Sequence, residues 1–391
     1  MALLLLAVIY IVFISLGLPD GVFGGAWPAI HTTLGVPVGW GGVVSLVVTL
    51  MAIISSLSAA TLVKRLGVGL LLLISTVLTA IGLLGYSQSH EFYWLVILAV
   101  PLGLGSGAID AALNHYVAIH YKAHHMNWLH ACWGVGASVG PVIFAAVLVN
   151  SHDWHKGYVA LGLIQAAIVA VLLLSLPLWS RVHVRKAADA SEEADMHDVK
   201  FGLLAKDRIV QFSFLTFLLY VGIEVGIGLW LASYLVQIQG IAIETAALWT
   251  GVYYGAITIG RVFTGFISFK VSNAHMVRVG VAVSILGALL LVLSLAPLAS
   301  LVGIILVGLG FAPIYPALIH ATPERVGANK SAKVMSLQMV GASVGASIIP
   351  PLIGLISGVT SLLAFAFIMP IVLLGMLLST ERVNRAIHTR L

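Results

Sequence analysis

The chain has 391 residues, 60% of them hydrophobic and only 8% charged, with a mean hydropathy of +1.10. A soluble domain carries about a quarter charged residues, so this composition excludes one and leaves no room for a soluble catalytic domain. The formal charge of +5 calls for no nucleic-acid partner, because the placement of the basic residues accounts for it, and the single cysteine gives disulfides and thiolate metal sites no support.

Apolar runs long enough to cross a bilayer as helices recur along the whole chain. The alternating segments of about ten residues that a β-barrel needs are missing. The first run, MALLLLAVIYIVFISLG, lacks a basic leader and a small-residue cleavage site, and its apolar character continues to Ile30. It is therefore expected to stay in the protein as the first span. Spans are predicted over 3–30, 38–63, 67–87, 92–120, 126–150, 157–180, 209–237, 244–268, 275–296, 299–320, 333–356 and 360–380. The longest hydrophilic stretch, RVHVRKAADASEEADMHDVKFGLLAKDR at 181–208, follows the sixth span. The expected fold class is an all-α polytopic membrane protein of twelve helices. Its halves, 1–180 and 209–391, are joined by that charged linker.

Basic residues orient the spans. Lys64, Arg65, Lys122, Arg181, Arg185, Lys186, Lys200, Lys206, Arg208, Lys270, Arg278, Arg325, Lys330, Lys333, Arg382, Arg385 and Arg390 lie in alternate connections or at the C-terminus. The opposite loops hold only Lys156, while Arg261 lies within a span. Excess Lys and Arg mark the cytoplasmic side, so both termini and the linker are expected there, in a cell membrane. Arg261 is expected to snorkel or to tie down its loop.

The halves repeat. LGLGSGAIDAALNH at 102–115 aligns with VGLGFAPIYPALIH at 307–320, with seven identities in fourteen. VGASVG at 135–140 recurs at 340–345, Arg65 meets Lys270 at the same offset of 205, and Asp20 falls opposite Glu224 at 204. An offset spanning six helices returns the chain to the same side of the membrane, so the repeat is parallel.

Polar groups inside the spans are costly, roughly 2.5–3.5 kcal/mol for an Asp at a helix centre, and so mark function. Asp20 interrupts SLGLPDGVFGGAW, about 16 Å from the outer end of its span. Asp110 lies at a similar distance from the inner end of span four, on one helical face with Ser106 and Asn114. Low-dielectric surroundings favour a neutral carboxyl, which lets it exchange a proton near neutral pH when water reaches it. No Lys or Arg lies in the N-terminal spans to hold these acids ionised, which favours proton cycling. His130 and Trp133 share a face of span five, and an indole plane beside polar donors suits a sugar ring. Further candidates for the substrate wall are Trp27, Glu224, Tyr253, Tyr254, Tyr315 and Gln338. His120, His124 and His125 are expected at a solvated loop. No metal ion and no cofactor are expected.

With two six-helix halves, a parallel repeat and a cytoplasmic linker, the sequence resembles the major facilitator superfamily along its full length. TLVKRLG at 61–67 stands where that family carries its basic loop, without the usual Asp. Within the superfamily it is similar to the fucose permease group of sugar–proton symporters at LPDGVFGGAWPAI (18–30), GAIDAALNHYV (107–117) and MNWLHACWGVGASVG (126–140). The resemblance implies that Asp20 and Asp110 match the group's two acids for proton coupling and sugar binding. Asp110 replaces a Glu, His130 stands where members can carry Gln, and Trp133 where they can carry a sugar-contacting Asn. A monomeric, non-enzymatic, proton-coupled symporter of a hexose or related sugar is therefore expected, moving its substrate across the lipid bilayer by alternating access. The competing class is a drug–proton antiporter, for which Gly136, Gly140 and Pro141 partly match the fifth-helix element. Coupling to Na⁺ instead of H⁺ is the third reading, and a receptor or scaffold on this fold has no positive feature.

Overall fold

The computed structural model describes residues 2–182, 206–268, 270–293 and 296–388. Linker residues 183–205, with Arg185, Lys186 and Lys200, lie outside the described residues, as does Arg390. Regular structure among the described residues is entirely helical. The elements are α1 (Ala2–Leu34), α2 (Gly41–Leu66), α3 (Val68–Tyr86), α4 (Phe92–His120), α5 (Ala123–Ser151) and α6 (Trp154–Val182). They continue with α7 (Arg208–Gln237), α8 (Ile243–Ile267), α9 (Asn273–Leu293), α10 (Pro297–Phe311), α11 (Ile314–His320), α12 (Thr322–Val326), α13 (Ala328–Val359) and α14 (Leu363–His388).

Eleven candidate spans among the described residues are long and apolar enough to cross a membrane, α10 and α11 counting as one. The remaining long helix, α8, occupies the predicted eighth span and carries Glu244 and Arg261. The predicted span 299–320 is divided at Ala312 and Pro313. Pro313 has no N–H to continue the ladder, and its ring crowds the preceding turn. By contrast, α1 runs without interruption through Pro19 and Pro28. At the end of α2, Lys64 and Arg65 sit in the last turn, where cations complement the helix dipole. Gly67 then reverses the chain at φ 78°, a conformation that suits glycine.

The chain forms two compact units, Met1–Ala187 with Leu231–Gly255, and Ala188–Trp230 with Ala256–Leu391. In the first, α1 lies along α5, α4 packs against both α2 and α3, and α6 covers α3. An apolar core of Val12, Phe13, Leu72, Ile109, Leu113, Leu172 and Trp179 joins α1, α3, α4 and α6. The segment Leu231–Gly255 is held to α1 and to the C-terminal end of α5 by several contacts. Gln237 reaches His31 at 3.0 Å and Glu244 lies 3.8 Å from His152, while Gly25 leaves space for Ala247. In the second unit, α9 lies along α10 and against α14, and α13 packs on α14.

Small residues set how closely these helices approach, as expected where apolar lipid gives helices little reason to associate. A Cβ on Gly136 or Gly140 of α5 would run into the carbonyls of Ile14 and Leu18 on α1. Gly341 and Gly345 of α13 stand in the same way against the carbonyls of Phe214 and Leu218 on α7. The third and fourth helices of each half repeat more closely still. Gly105 fits against Ser75 and Thr79, and Gly310 against Gly280 and Ser284, every residue displaced by the 205 of the sequence repeat.

Candidate functional site

The first unit gathers most of the intramembrane polar residues. Asp20 stands 14 residues before the end of α1, about 21 Å along the axis, so it lies well inside the helix. Its carboxylate is accessible, not sealed into the core. Gly17, one turn earlier, lets the backbone of Trp133 on α5 come against α1, and a Cβ there would strike the Trp133 carbonyl. This contact positions the indole so that Trp133 Nε1 donates to Asp20 Oδ2 at 2.7 Å. With Asp20 ionised, this is a charge-assisted hydrogen bond, about twice as strong as a neutral one.

On α4, Asp110 is also accessible. The Asn114 amide donates to Asp110 Oδ1 at 2.9 Å and to its backbone carbonyl at 2.9 Å. The four-residue spacing thus brings Asn114 onto Asp110. Ser106, from the same stripe, turns back to the Gly103 carbonyl at 3.1 Å. Each acid of the pair is met by an N–H donor from a neutral side chain.

Tyr254 of α8 closes the group from another direction. Its ring meets that of Trp133 edge-on, with centroids 6.2 Å apart and planes at 87°. Its Cε2 lies 3.0 Å from where a Cβ on Gly21 would stand, a position closer still to the Ala137 carbonyl and Pro141 of α5. Tyr253 is fully buried against Tyr254, with centroids 5.0 Å apart. His130 is exposed and sits edge-on to Phe13, one turn of α5 away from Trp133. Trp27 is set apart from this group. It is fully buried, donates to the Val38 carbonyl at 2.7 Å and packs beside Phe23, His31 and Phe92.

The second unit holds a different polar cluster. Arg261 Nη2 lies 3.5 Å from Glu224 Oε1. The expectation that Arg261 snorkels or ties down its loop is therefore replaced by an ion pair with the mid-helix acid of α7, which its long side chain can reach. Tyr220, one turn before Glu224, donates to the Phe311 carbonyl at 3.2 Å, and its ring lies 6.1 Å from that of Tyr315. Tyr315 Oη contacts the Met339 sulfur at 3.2 Å. Gln338 is buried and hydrogen-bonds Thr322 at 3.1 Å, tying α13 to α12.

Among the features the sequence does not show, two lie close to the acids or to α1 and α5. One is the Trp133–Asp20 bond, made by residues 113 positions apart. The other is the His125 ring, expected in a solvated loop but found half-buried with Nδ1 2.7 Å from Tyr10 Oη. His120 stacks on Tyr116, while His124 is exposed against His125.

The profile described as Major Facilitator Superfamily matches residues 9–350. The chain is similar to the glucose/mannose transporter GlcP of Bacillus subtilis, 25% identical over 279 residues covering 68% of this chain and 66% of that protein, just under two thirds. It is also similar to a glucose/galactose transporter of Brucella abortus, 26% identical over 333 residues covering 82% of this chain and 79% of that one. Among solved structures, the nucleoside transporter NupG superposes with a TM-score of 0.78 at 14% identity, covering 97% of this chain and 99% of the other. A D-xylose-proton symporter superposes with a TM-score of 0.72 at 14% identity, covering 96% and 97%.

Proposed function

The chain belongs to the Major Facilitator Superfamily, a multi-pass membrane transporter and not an enzyme, and we propose that it carries a hexose or related sugar together with a proton by alternating access. The halves 1–180 and 209–391, joined by the linker 181–208, would rock around a site near mid-depth. The basic residues favour cytoplasmic termini in a cell membrane, and nothing in the mechanism requires more than a monomer.

The observation that carries the reading is the pair of accessible acids, Asp20 and Asp110, each met by an N–H donor. Indole and amide N–H groups point at carboxylate oxygens that a Na⁺ ion would need as ligands, and they present positive hydrogens to any cation. A proton, by contrast, can occupy a free oxygen of either acid without displacing them. The same acids accept from sugar hydroxyls, Asn114 supplies a donor, and the Trp133 and Tyr254 rings offer apolar faces to C–H groups. Two named relatives carrying glucose with mannose or galactose support a hexose, in keeping with the fucose permease resemblance. Glu224, Tyr315 and Tyr253 are the weaker members of the substrate wall. Trp27 and Gln338 contribute through the helices they brace.

The experiment is uptake into proteoliposomes under an imposed pH gradient or an imposed Na⁺ gradient, with hexoses and lipophilic cations as probes. Hexose accumulation driven by the pH gradient alone supports the reading. Accumulation that follows Na⁺ reassigns the ion, and extrusion of lipophilic cations without a response to any hexose replaces the reading with drug antiport.

A further inference from the structure

The Trp133 indole has two neighbours of different kinds. Its N–H, which can only donate, is committed to Asp20 Oδ2 at 2.7 Å. Its ring stands edge-on to Tyr254, whose Cε2 comes 3.0 Å from where a Cβ on Gly21, the residue after Asp20, would stand. The indole is thus braced between the carboxyl of α1 and the ring of α8. An N–H donor binds a carboxylate more strongly than a carboxylic acid, so the strength of the Trp133 bond depends on whether Asp20 carries a proton.

The other groups around Asp20 do not duplicate this donor. Asp110 of α4 is an acid whose Oδ1 already accepts from Asn114. Tyr254 of α8 presents its ring edge at Gly21, and the His130 ring is on Phe13, two turns along α1. The remaining helices against α1, α2 and α6, carry titratable residues only toward their ends, Lys64 and Arg65 in one and His155, Lys156, Tyr158 and Arg181 in the other.

We infer that Trp133 is a positioning residue for Asp20: its N–H holds the ionised carboxyl in place, and release of that bond on protonation frees the indole from its stance against Tyr254. The inference rests on the reading of Asp20 as a proton-carrying group. It gives Trp133 a part in coupling beyond stacking on a sugar, and it makes the indole nitrogen, not the ring alone, the feature that matters.

The test is ¹⁹F NMR of the full chain in detergent, labelled with 5-fluorotryptophan at its nine tryptophans. The resonance missing from both Trp133→Phe and Trp133→His is assigned to Trp133. In the wild-type chain it should move as the pH is titrated, and in Asp20→Asn that movement should vanish while the other resonances report an intact fold. A resonance that ignores pH overturns the inference, as does one that titrates identically in Asp20→Asn. Should Asp20→Asn not fold, Asp20→Glu keeps a titrating carboxyl at a different reach, and an unchanged titration there overturns it equally. In proteoliposomes, gradient-driven accumulation of the hexose probe should fall about tenfold in Trp133→Phe and recover in part in Trp133→His, whose ring N–H can donate. Recovery by Phe equal to that by His would make the role one of bulk and overturn the inference. A wild-type chain that moves no hexose counts against the sugar reading alone, and the NMR titration then decides the role of Trp133.

Discussion

Trp133 donates its indole hydrogen to Asp20 across 2.7 Å, joining α5 to α1 at the level of the most informative acid in the chain. Asp110 lies on the neighbouring α4 with its own donor, Asn114. If both acids take part in coupling, replacing either with its amide removes the group that loads a proton but keeps its shape. Asp20→Asn and Asp110→Asn should each lose gradient-driven accumulation, by about a hundredfold for a hydrogen-bonded charged group, while the protein still inserts. Uptake of labelled hexose against a pH gradient measures this. Full accumulation in both variants would remove the pair from the mechanism.

The Glu224–Arg261 pair, at 3.5 Å and largely withdrawn from solvent, should behave as a buried ion pair. Removing one partner strands a charge at a typical cost of about 3–5 kcal/mol, whereas replacing both with neutral groups avoids it. Glu224→Gln and Arg261→Gln should each lower the thermal midpoint in detergent, and the double variant should regain most of the loss. Single variants as stable as the parent would mean the pair contributes nothing to folding.

Gly136 and Gly35 separate close packing from backbone freedom. A side chain at Gly136 would strike the Ile14 carbonyl, so Gly136→Leu should cost at least about 3 kcal/mol and abolish a monodisperse elution profile. Gly35 has φ +64° and nothing within 4 Å of where a Cβ would stand, so Gly35→Ala should cost only about 1 kcal/mol of backbone strain. Equal losses in size-exclusion and thermal assays would contradict the α1–α5 contact.

Asp153 gives a pH-dependent contribution outside the spans. Its Oδ1 accepts the His155 backbone N–H at 3.0 Å and lies 2.8 Å from the His155 ring, capping the start of α6. Partial burial pushes the carboxyl up, but the His155 hydrogen bonds outweigh it and hold the group below its ordinary value. A depressed carboxyl stabilises the fold above its unfolded value of about 3.9 and loses that contribution as pH falls through the folded value. Asp153→Ala should therefore cost about 1 kcal/mol at neutral pH, shrinking toward acid pH. A loss independent of pH in thermal melts would assign the effect to something other than the ionised cap.

How much of this was legible in the sequence follows from the range of each interaction. Spans are written locally, as apolar length, and α4 begins and ends where predicted, at Phe92 and His120. Asp20 and Asp110 stand out because a carboxylate in an apolar run is conspicuous by itself, and the Asp110–Asn114 bond is a four-residue helical spacing. The partner of Asp20 was not legible, because it depends on how Gly17 and Gly136 let two distant helices slide together. The place of Trp27 was hidden for the same reason, its indole being spent on Val38 across a turn. The depth of Arg261 on α8 is legible in the sequence, but the reach of its side chain toward Glu224 of α7 is not. The break before α11 follows from Pro313, whose effect in a membrane helix depends on what surrounds it.

The central claim is that sugar and proton move together through a site containing Asp20 and Asp110. Its most direct measurement is proton flux into lightly buffered proteoliposomes on addition of glucose, mannose or galactose, with no gradient imposed. The account predicts a sugar-triggered alkalinisation of the medium by the wild-type chain that is lost in Asp20→Asn. Hexose entry with no accompanying proton movement, or an undiminished signal in Asp20→Asn, would contradict it.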